Sequence, residues 1–434
     1  MRILDWQSLD GPGRRDALRR PQFQLEPHVQ RLVREVIERV RKGGDAAVRE
    51  FTERFDKVWL ESSAVTPAEF AAARRLLTPA QIDTLDRAIV NLERFHERQV
   101  LKPFALETEP GVRCEELIRP IAAVGLYVPA GTAPLPSTVL MLGVPARLAG
   151  CVTRVLCTPP LPGGHAHPAV LTAAKLCGIE TVFKVGGAQA IAALAYGTET
   201  IPRVDKIFGP GNAWVTAAKA LVAQDAEGAI CDLPAGPTEV MVVADDSARD
   251  EFVAADLLAQ AEHDVLAQVL LVTDSQPLAQ RVAQHIETQL PMLSRSAILG
   301  ESLAACRAIL VPDLDTAMEV ANRYAPEHLM LEVREPRRWL GEVQNAGAVF
   351  LGPWAAEAFG DYCSGTNHVL PTFGSARSSS GLSVRDFVRT MSVQELTPQG
   401  MSSLAPTAVA LAELEGLDAH ANAVARRAAA VRSS

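Results

Sequence analysis

The sequence predicts an α/β protein built largely on parallel sheets. Three observations carry this. From about residue 118, short apolar runs alternate with Ala/Leu-rich stretches of helical period. The runs are apolar on both faces, as suits strands covered by helices on each side. At 434 residues the chain is too long for one ordinary core, so two or more domains are expected.

Taken in order, residues 1–25 are polar, lack a strong period and read as an arm. Residues 27–57 read as helix, with Val29, Leu32, Val33, Val36, Ile37 and Val40 on one stripe and a stop at Gly43–Gly44. A second helical stretch covers roughly 67–100, with Thr66 as N-cap and Pro67 at the first position. The apolar runs that follow are Ile121–Val128, Val152–Cys157, Thr181–Val185, Lys206–Phe208, Val240–Ala244, Val269–Val272, Ala308–Val311 and Ala348–Leu351. Between them lie helical patterns at 136–149, 168–177, 187–196, 211–224, 248–262 and 275–289. Residues 372–392, rich in Ser, Gly and Arg, read as a connecting segment, and the Ala-rich tail from Pro406 reads as helix broken at Gly416.

A formal net charge of −9 argues against nucleic acid as a partner. No apolar run has the length of a membrane span, and the first residues lack the apolar core of a signal peptide. Seven scattered cysteines without a C-x-x-C pair fit reduced thiols in a cytoplasmic protein, not a disulfide framework or a cysteine-type zinc site.

The dinucleotide fingerprint G-x-G-x-x-G is absent. Two turns echo it: Gly186–Gly187 after Thr181–Val185, and Gly209-Pro210-Gly211-Asn212 after Lys206–Phe208. Glycines between a strand and a helix either let the backbone approach a phosphate or simply shape a tight turn. The stiff loop Tyr127–Pro134 ends another strand, and its tyrosine reads as a ligand contact or as a core residue.

Four polar groupings are candidates for chemistry. Gln260 and His263, three apart on a helical stretch, share a face and reach one ion, or form a surface pair. Asp361 and His368 stand in the loop GDYCSGTNH, as ligands or as turn residues. Glu327 and His328 form a plausible acid/base couple if both sit in the turn before the run Leu329–Leu331, or a satisfied loop pair. Glu415 and His420 flank Gly416, turned toward one site or merely exposed.

In this order the motifs resemble the histidinol dehydrogenase family from about residue 25 to 428. The resemblance is carried by VGLYVPAGTAPLPSTVLMLGVPARLAGC, VGGAQAIAALAYGTETIPRVDKIFGPGN, AGPTEVMVVAD, DLLAQAEHD, YAPEHL, GDYCSGTNHVLPT and LDAHANAV. It implies oxidation of L-histidinol through the aldehyde to L-histidine, the last step of histidine biosynthesis, with two NAD reduced and one zinc ion per subunit. The positions matching the family's zinc ligands are Gln260, His263, Asp361 and His420; those matching its acid/base pair are Glu327 and His328. Thr238, His328 and Glu415, with the metal ligands, match substrate contacts, while Tyr127, Gln189 and Asn212 match NAD contacts. The family's homodimer implies that Glu415 and His420 act in the partner's site. The expected organisation is two incomplete Rossmann-like domains, a catalytic one from 26–129 and 237–381 and a nucleotide-binding one from 130–236, with an arm (1–25) and a tail (382–434). Thr238, Ala130 and Cys363 depart from the residues common in the family (serine, glycine and alanine) without removing a ligand or a base. A thiohemiacetal on Cys151 or Cys363 is a rival route without an evident basic neighbour. A related zinc- and NAD-dependent dehydrogenase of another small polyol, or a binding module without catalysis, are the competing functions.

Overall fold

A computed structural model describes residues 1–21, 27–130, 133–233 and 236–433. The chain divides into two compact units, Met1–Gln99 with Ala122–Asp386, and Val100–Ile121 with Phe387–Ser434.

The larger unit holds two all-parallel sheets. The first has six strands, in spatial order Arg2–Asp5, Arg307–Leu310, Gln268–Thr273, Glu239–Ala244, His328–Glu332 and Ala348–Leu351. The second has five, in order Thr181–Lys184, Thr153–Thr158, Ala123–Tyr127, Lys206–Phe208 and Ile230–Cys231. Setting aside the N-terminal edge strand, both sheets follow one winding: the first three strands in the chain are laid down in one direction, the next two in the other. Such a reversal opens a crevice between the first and fourth strands, and ligands of these folds usually bind at the carboxyl ends there.

Alternation along the buried strands builds the layers. In the six-stranded sheet Val240, Val242, Val269, Leu271 and Met330 pack against the helices Asp250–Ala261 and Gln276–Gln289. Met241, Val243, Leu270, Val272, Leu329 and Leu331 face the helix Leu314–Tyr324 on the other side. The five-stranded sheet is covered on one face by Gly187–Tyr196 and Ala213–Val222, against which the long helix Pro27–Phe51, broken at Gly44 (φ +51°) as the Gly43–Gly44 pair suggested, lays Val33, Val36, Ile37 and Val40.

Several expectations shift. The first residues are more than an arm: Arg2–Asp5 adds an edge strand in register with Arg307–Leu310, and Trp6 is buried; residues 22–25 of that arm lie outside the described residues. Ala123–Tyr127, expected with the catalytic sheet, is the central strand of the second sheet, and Pro27–Phe51 packs on the helices that cover that sheet. The stretch 67–100 is two helices, Pro67–Arg75 and Pro79–His96, because Thr78-Pro79 starts a second capping box (Thr78/Gln81) after Thr66/Glu69. The tail helix begins at Pro398, earlier than Pro406.

The smaller unit carries a three-stranded antiparallel sheet, Val388–Leu396 on Val112–Pro120 on Phe104–Glu109, that sequence patterning did not suggest. Residues 100–121, expected in the catalytic domain, belong to it, and Val388–Leu396 takes up part of the presumed connector and tail. Two helices follow, Pro398–Leu414 and Asp418–Ser433, separated at Gly416, whose φ is +70°.

Candidate functional site

The polar centre of the larger unit gathers where the six-stranded sheet reverses its winding, but at the amino ends of Glu239–Ala244 and His328–Glu332, opposite to the edge such folds usually use. Thr238 and Glu327 immediately precede these strands and His328 opens the second. Glu327 thus sits in the turn, as the acid/base reading required, but His328 is the first residue of the strand and not a turn residue. His328 points to the same face as Met330 and Glu332, toward the helix Asp250–Ala261 that ends beside Gln260.

Glu327 is buried, and its Oε2 accepts hydrogen bonds from Thr238 Oγ1 at 2.6 Å and from the Glu239 backbone N–H at 2.9 Å. Burial pushes its carboxyl up to about 7, although His328 and the two hydrogen bonds pull the other way. His328 Nδ1 lies 3.0 Å from the Glu239 carbonyl oxygen, which can only accept, so Nδ1 carries a proton in this arrangement. Its Nε2 is buried without a hydrogen-bond partner, 3.6 Å from Glu357 Oε1 and 3.7 Å from Asp361 Oδ1. Burial alone would lower the imidazole, but the carboxylates of Glu327, Asp361 and Glu357 outweigh it and raise it to about 10.

Asp361 and Glu357 sit four apart on the short helix Glu357–Tyr362. Burial, with the neighbouring carboxylates of Asp361 and Glu327, drives Glu357 up, while His328 and His368 outweigh burial and hold Asp361 low. Among the described residues, His328, Glu357 and Asp361 can each offer a ligand atom, all within 4.8 Å of one another. Gln260 is fully buried; its amide nitrogen donates to Thr238 Oγ1, and its Oε1 has no partner. His263 lies beyond the end of its helix, not on it, with Nε2 4.0 Å from Asp361 Oδ2, and partial burial holds its imidazole below the ordinary value. A neutral imidazole, an orphaned amide oxygen and an ionised carboxylate suit a borderline divalent cation.

Of the other expected residues, His368 uses both ring nitrogens locally, Nδ1 on the Asp361 carbonyl at 2.8 Å and Nε2 on Thr138 Oγ1 at 3.2 Å. It braces the Asp361 segment. Glu415 caps the first tail helix and His420 stands in the first turn of the second, both exposed in the smaller unit. Cys151 is buried and Cys363 half-buried.

A second cleft, of about 560 Å³, adjoins this centre and is lined by Tyr127, Gly187, Gln189 and Asn212 among others. It lies at the carboxyl ends of the strands of the five-stranded sheet. Tyr127 is buried, its hydroxyl accepting from the Gly187 N–H at 3.1 Å. Gly209, at φ +119°, closes against Tyr127, and a Cβ there would meet the Tyr127 carbonyl oxygen at 2.1 Å, so no side chain fits. Asn212 caps its helix, Oδ1 accepting from Trp214 and Val215 N–H groups, which leaves its amide nitrogen for a ligand. Ala130 is buried at the cleft wall; Gly131 and Thr132 lie outside the described residues.

Sequence reasoning missed two groups here. Glu357 precedes the loop that drew notice. Glu239 is buried beside Thr238 and is held by Arg20, whose Nε and Nη2 reach its carboxylate at 2.5 and 2.8 Å while the guanidinium stacks on Tyr324. An acidic residue four before Asp361 was the one signal available for Glu357; for Arg20 there was none.

A family model described as histidinol dehydrogenase matches residues 18–428. The chain is 56% identical over 427 residues to the histidinol dehydrogenase of Xanthomonas euvesicatoria pv. vesicatoria, covering 98% of this chain and 99% of that one. It is 47% identical over 432 residues to that of Yersinia pestis, with 100% and 97% covered. The crystal structure of histidinol dehydrogenase from Elizabethkingia anophelis superposes with a TM-score of 0.95 at 41% identity, covering 100% of this chain and 99% of that one.

Proposed function

The chain belongs to the histidinol dehydrogenase family, and from that premise we propose that it oxidises L-histidinol through the aldehyde to L-histidine with NAD and one zinc ion per subunit. The observation that carries the reading is the buried couple Glu327–His328 beside the orphaned Gln260 Oε1 and the carboxylate of Asp361. Gln260, His263 and Asp361 would hold the zinc, joined by His420. When bound, zinc would anchor the nitrogens of an amino alcohol and fix the reacting carbon. NAD, in the cleft of Tyr127, Gln189 and Asn212, would carry away the electrons.

The chain's own residues then divide the work. With Nδ1 engaged by the Glu239 carbonyl, His328 offers Nε2 to the substrate hydroxyl and takes its proton as hydride leaves the carbon. Aldehyde must be hydrated before a second hydride can leave. Glu327 is suited to activate that water: Oε2 is tied to Thr238 and Glu239, and its carboxyl is poised near neutrality, leaving Oε1 for the water proton. His328 again accepts a proton in the second oxidation. With Asp361 engaged by a bound cation, less of its negative field would reach His328, which would free Nε2 to accept a proton. Thr238, Gln260, His263, Asp361, Glu415 and His420 would surround the substrate, the last two from a partner subunit in a cytoplasmic homodimer.

The test is NADH formation from L-histidinol, before and after chelation and with zinc restored. We expect two NADH per histidinol, activity lost on chelation and regained with zinc. Turnover of another polyol with histidinol inert would refute the substrate.

A further inference from the structure

The cleft beside the catalytic centre has two chemically different ends. His263 and Leu135 line both the cleft and the catalytic pocket, so a ring that exchanges hydride with the substrate must lie there. Val36, Phe55 and Asp56 line the cleft but not the catalytic pocket, and are delivered by the helix Pro27–Phe51 and the single wide turn Thr52–Asp56 that follows it. A dinucleotide with its reactive ring beside His263 therefore puts its adenosine half beside Asp56.

Asp56 is a carboxylate in need of a partner. Its Oδ2 receives one long hydrogen bond, from Gln189 Nε2 at 3.3 Å, and no cation pairs with it among the described residues. Burial pushes its carboxyl up to about 6. Vicinal hydroxyls are the donors that such a group accepts best, because they satisfy the charged form without bringing a charge.

Among the described residues, the cleft is lined by two carboxylates: Asp264, next to His263 in the chain, and Asp56. In ordinary dinucleotide folds an acidic residue at the end of the second strand accepts from the ribose. Here the second strand of the five-stranded sheet, Thr153–Thr158, runs out into Pro159-Pro160, and Pro159 forms part of the cleft wall. A carboxylate brought in from outside the lobe stands in its place.

We propose that Asp56 accepts the hydroxyls of the adenosine ribose and thereby excludes a dinucleotide bearing a 2′-phosphate. A phosphate there would face a half-buried carboxylate that no cation pairs with among the described residues, although Arg295 also lines the cleft. The proposal rests on the dinucleotide reading of the cleft given above.

Steady-state rates with histidinol and either NAD or NADP, in the parent and in Asp56→Asn, are the test, with titration by adenosine 5′-monophosphate and adenosine 2′,5′-bisphosphate as a readout independent of turnover. The parent should prefer NAD by about a hundredfold or more in kcat/KM. Asp56→Asn should raise the KM for NAD about tenfold with a much smaller change in kcat, bring the preference below about tenfold, and weaken the monophosphate more than the bisphosphate. Asp56→Ser, which also removes the charge, should behave alike. Monophosphate binding that depends on Asp56 in a protein inert toward histidinol would keep this assignment and sink the substrate reading. An unchanged NAD-to-NADP ratio with unchanged nucleotide affinities in both variants would overturn the ribose assignment.

Discussion

At the scale of single residues, the Glu239 backbone organises the chemistry from both sides: its carbonyl sets the His328 tautomer and its N–H holds Glu327. His328→Asn should keep the polar contact at the Nδ1 position but remove the base, slowing both oxidations by about 10²–10⁴-fold while zinc content, measured by metal analysis, stays at the parent level. Parental turnover in that variant would end the assignment. Glu327→Gln should cost aldehyde oxidation at least about tenfold more than alcohol oxidation, read by supplying each substrate separately. Equal losses would mean that Glu327 is not a dedicated water activator. Much of this site was legible in the sequence, because Glu327, His328, Gln260 and Asp361 stand in long specific motifs. Arg20 and Glu239 were not, since they meet across 219 positions and only the folded sheet brings them together.

At the scale of elements, legibility followed burial. Strands covered on both faces, such as Gln268–Thr273, announce themselves as apolar runs. Phe104–Glu109 is exposed along its whole length and Val388–Leu396 nearly so, and their pairing partners are fixed by a sheet that patterning does not encode. The capping boxes were half visible: Thr66 was found, Thr78 was not. Thr78→Ala should cost about 1 kcal/mol and lower Tm by a few degrees in a thermal scan. A larger effect of pH is built into the joint between the strand His328–Glu332 and the helix Asp250–Ala261. Burial, and then the Asp256 charge, raise Glu332 to about 7; burial likewise raises Asp256 to about 6, against a hydrogen bond from the Glu357 backbone. Both groups hold protons more tightly folded than unfolded, so their contribution is intact below about pH 4 and is lost as pH rises toward 7. Glu332→Gln should therefore match the parent near pH 4.5 and exceed it at pH 8 by on the order of 1 kcal/mol, measured by denaturant titration at both values. A parent equally stable relative to the variant at both pH values would show that the pair carries no such penalty.

At the scale of the whole molecule, the proposed homodimer makes a prediction that no single subunit can test. His328→Asn and His420→Asn should each be strongly impaired alone. If the tail serves the partner's site, dissociating and reassociating an equal mixture should recover up to about a quarter of parental activity, because half the dimers then contain one intact site. No recovery, with hybrid dimers verified by mass, would place each tail at its own subunit's site. Fold class and sheet direction were readable at this scale; the division of residues between sheets was not, because the long helix Pro27–Phe51 precedes both sheets' main strands and only packing decides which it covers. All five strands of the smaller parallel sheet come from one unbroken stretch, Ala123 to Cys231, whereas the six-stranded sheet is assembled from both sides of it. That stretch looks like a removable cassette, yet the helix that shields it and the acid that would choose its nucleotide arrive from upstream. A graft of the stretch alone onto another scaffold would carry the glycine turns and leave behind both its roof and its selectivity; the natural unit of exchange begins at Pro27.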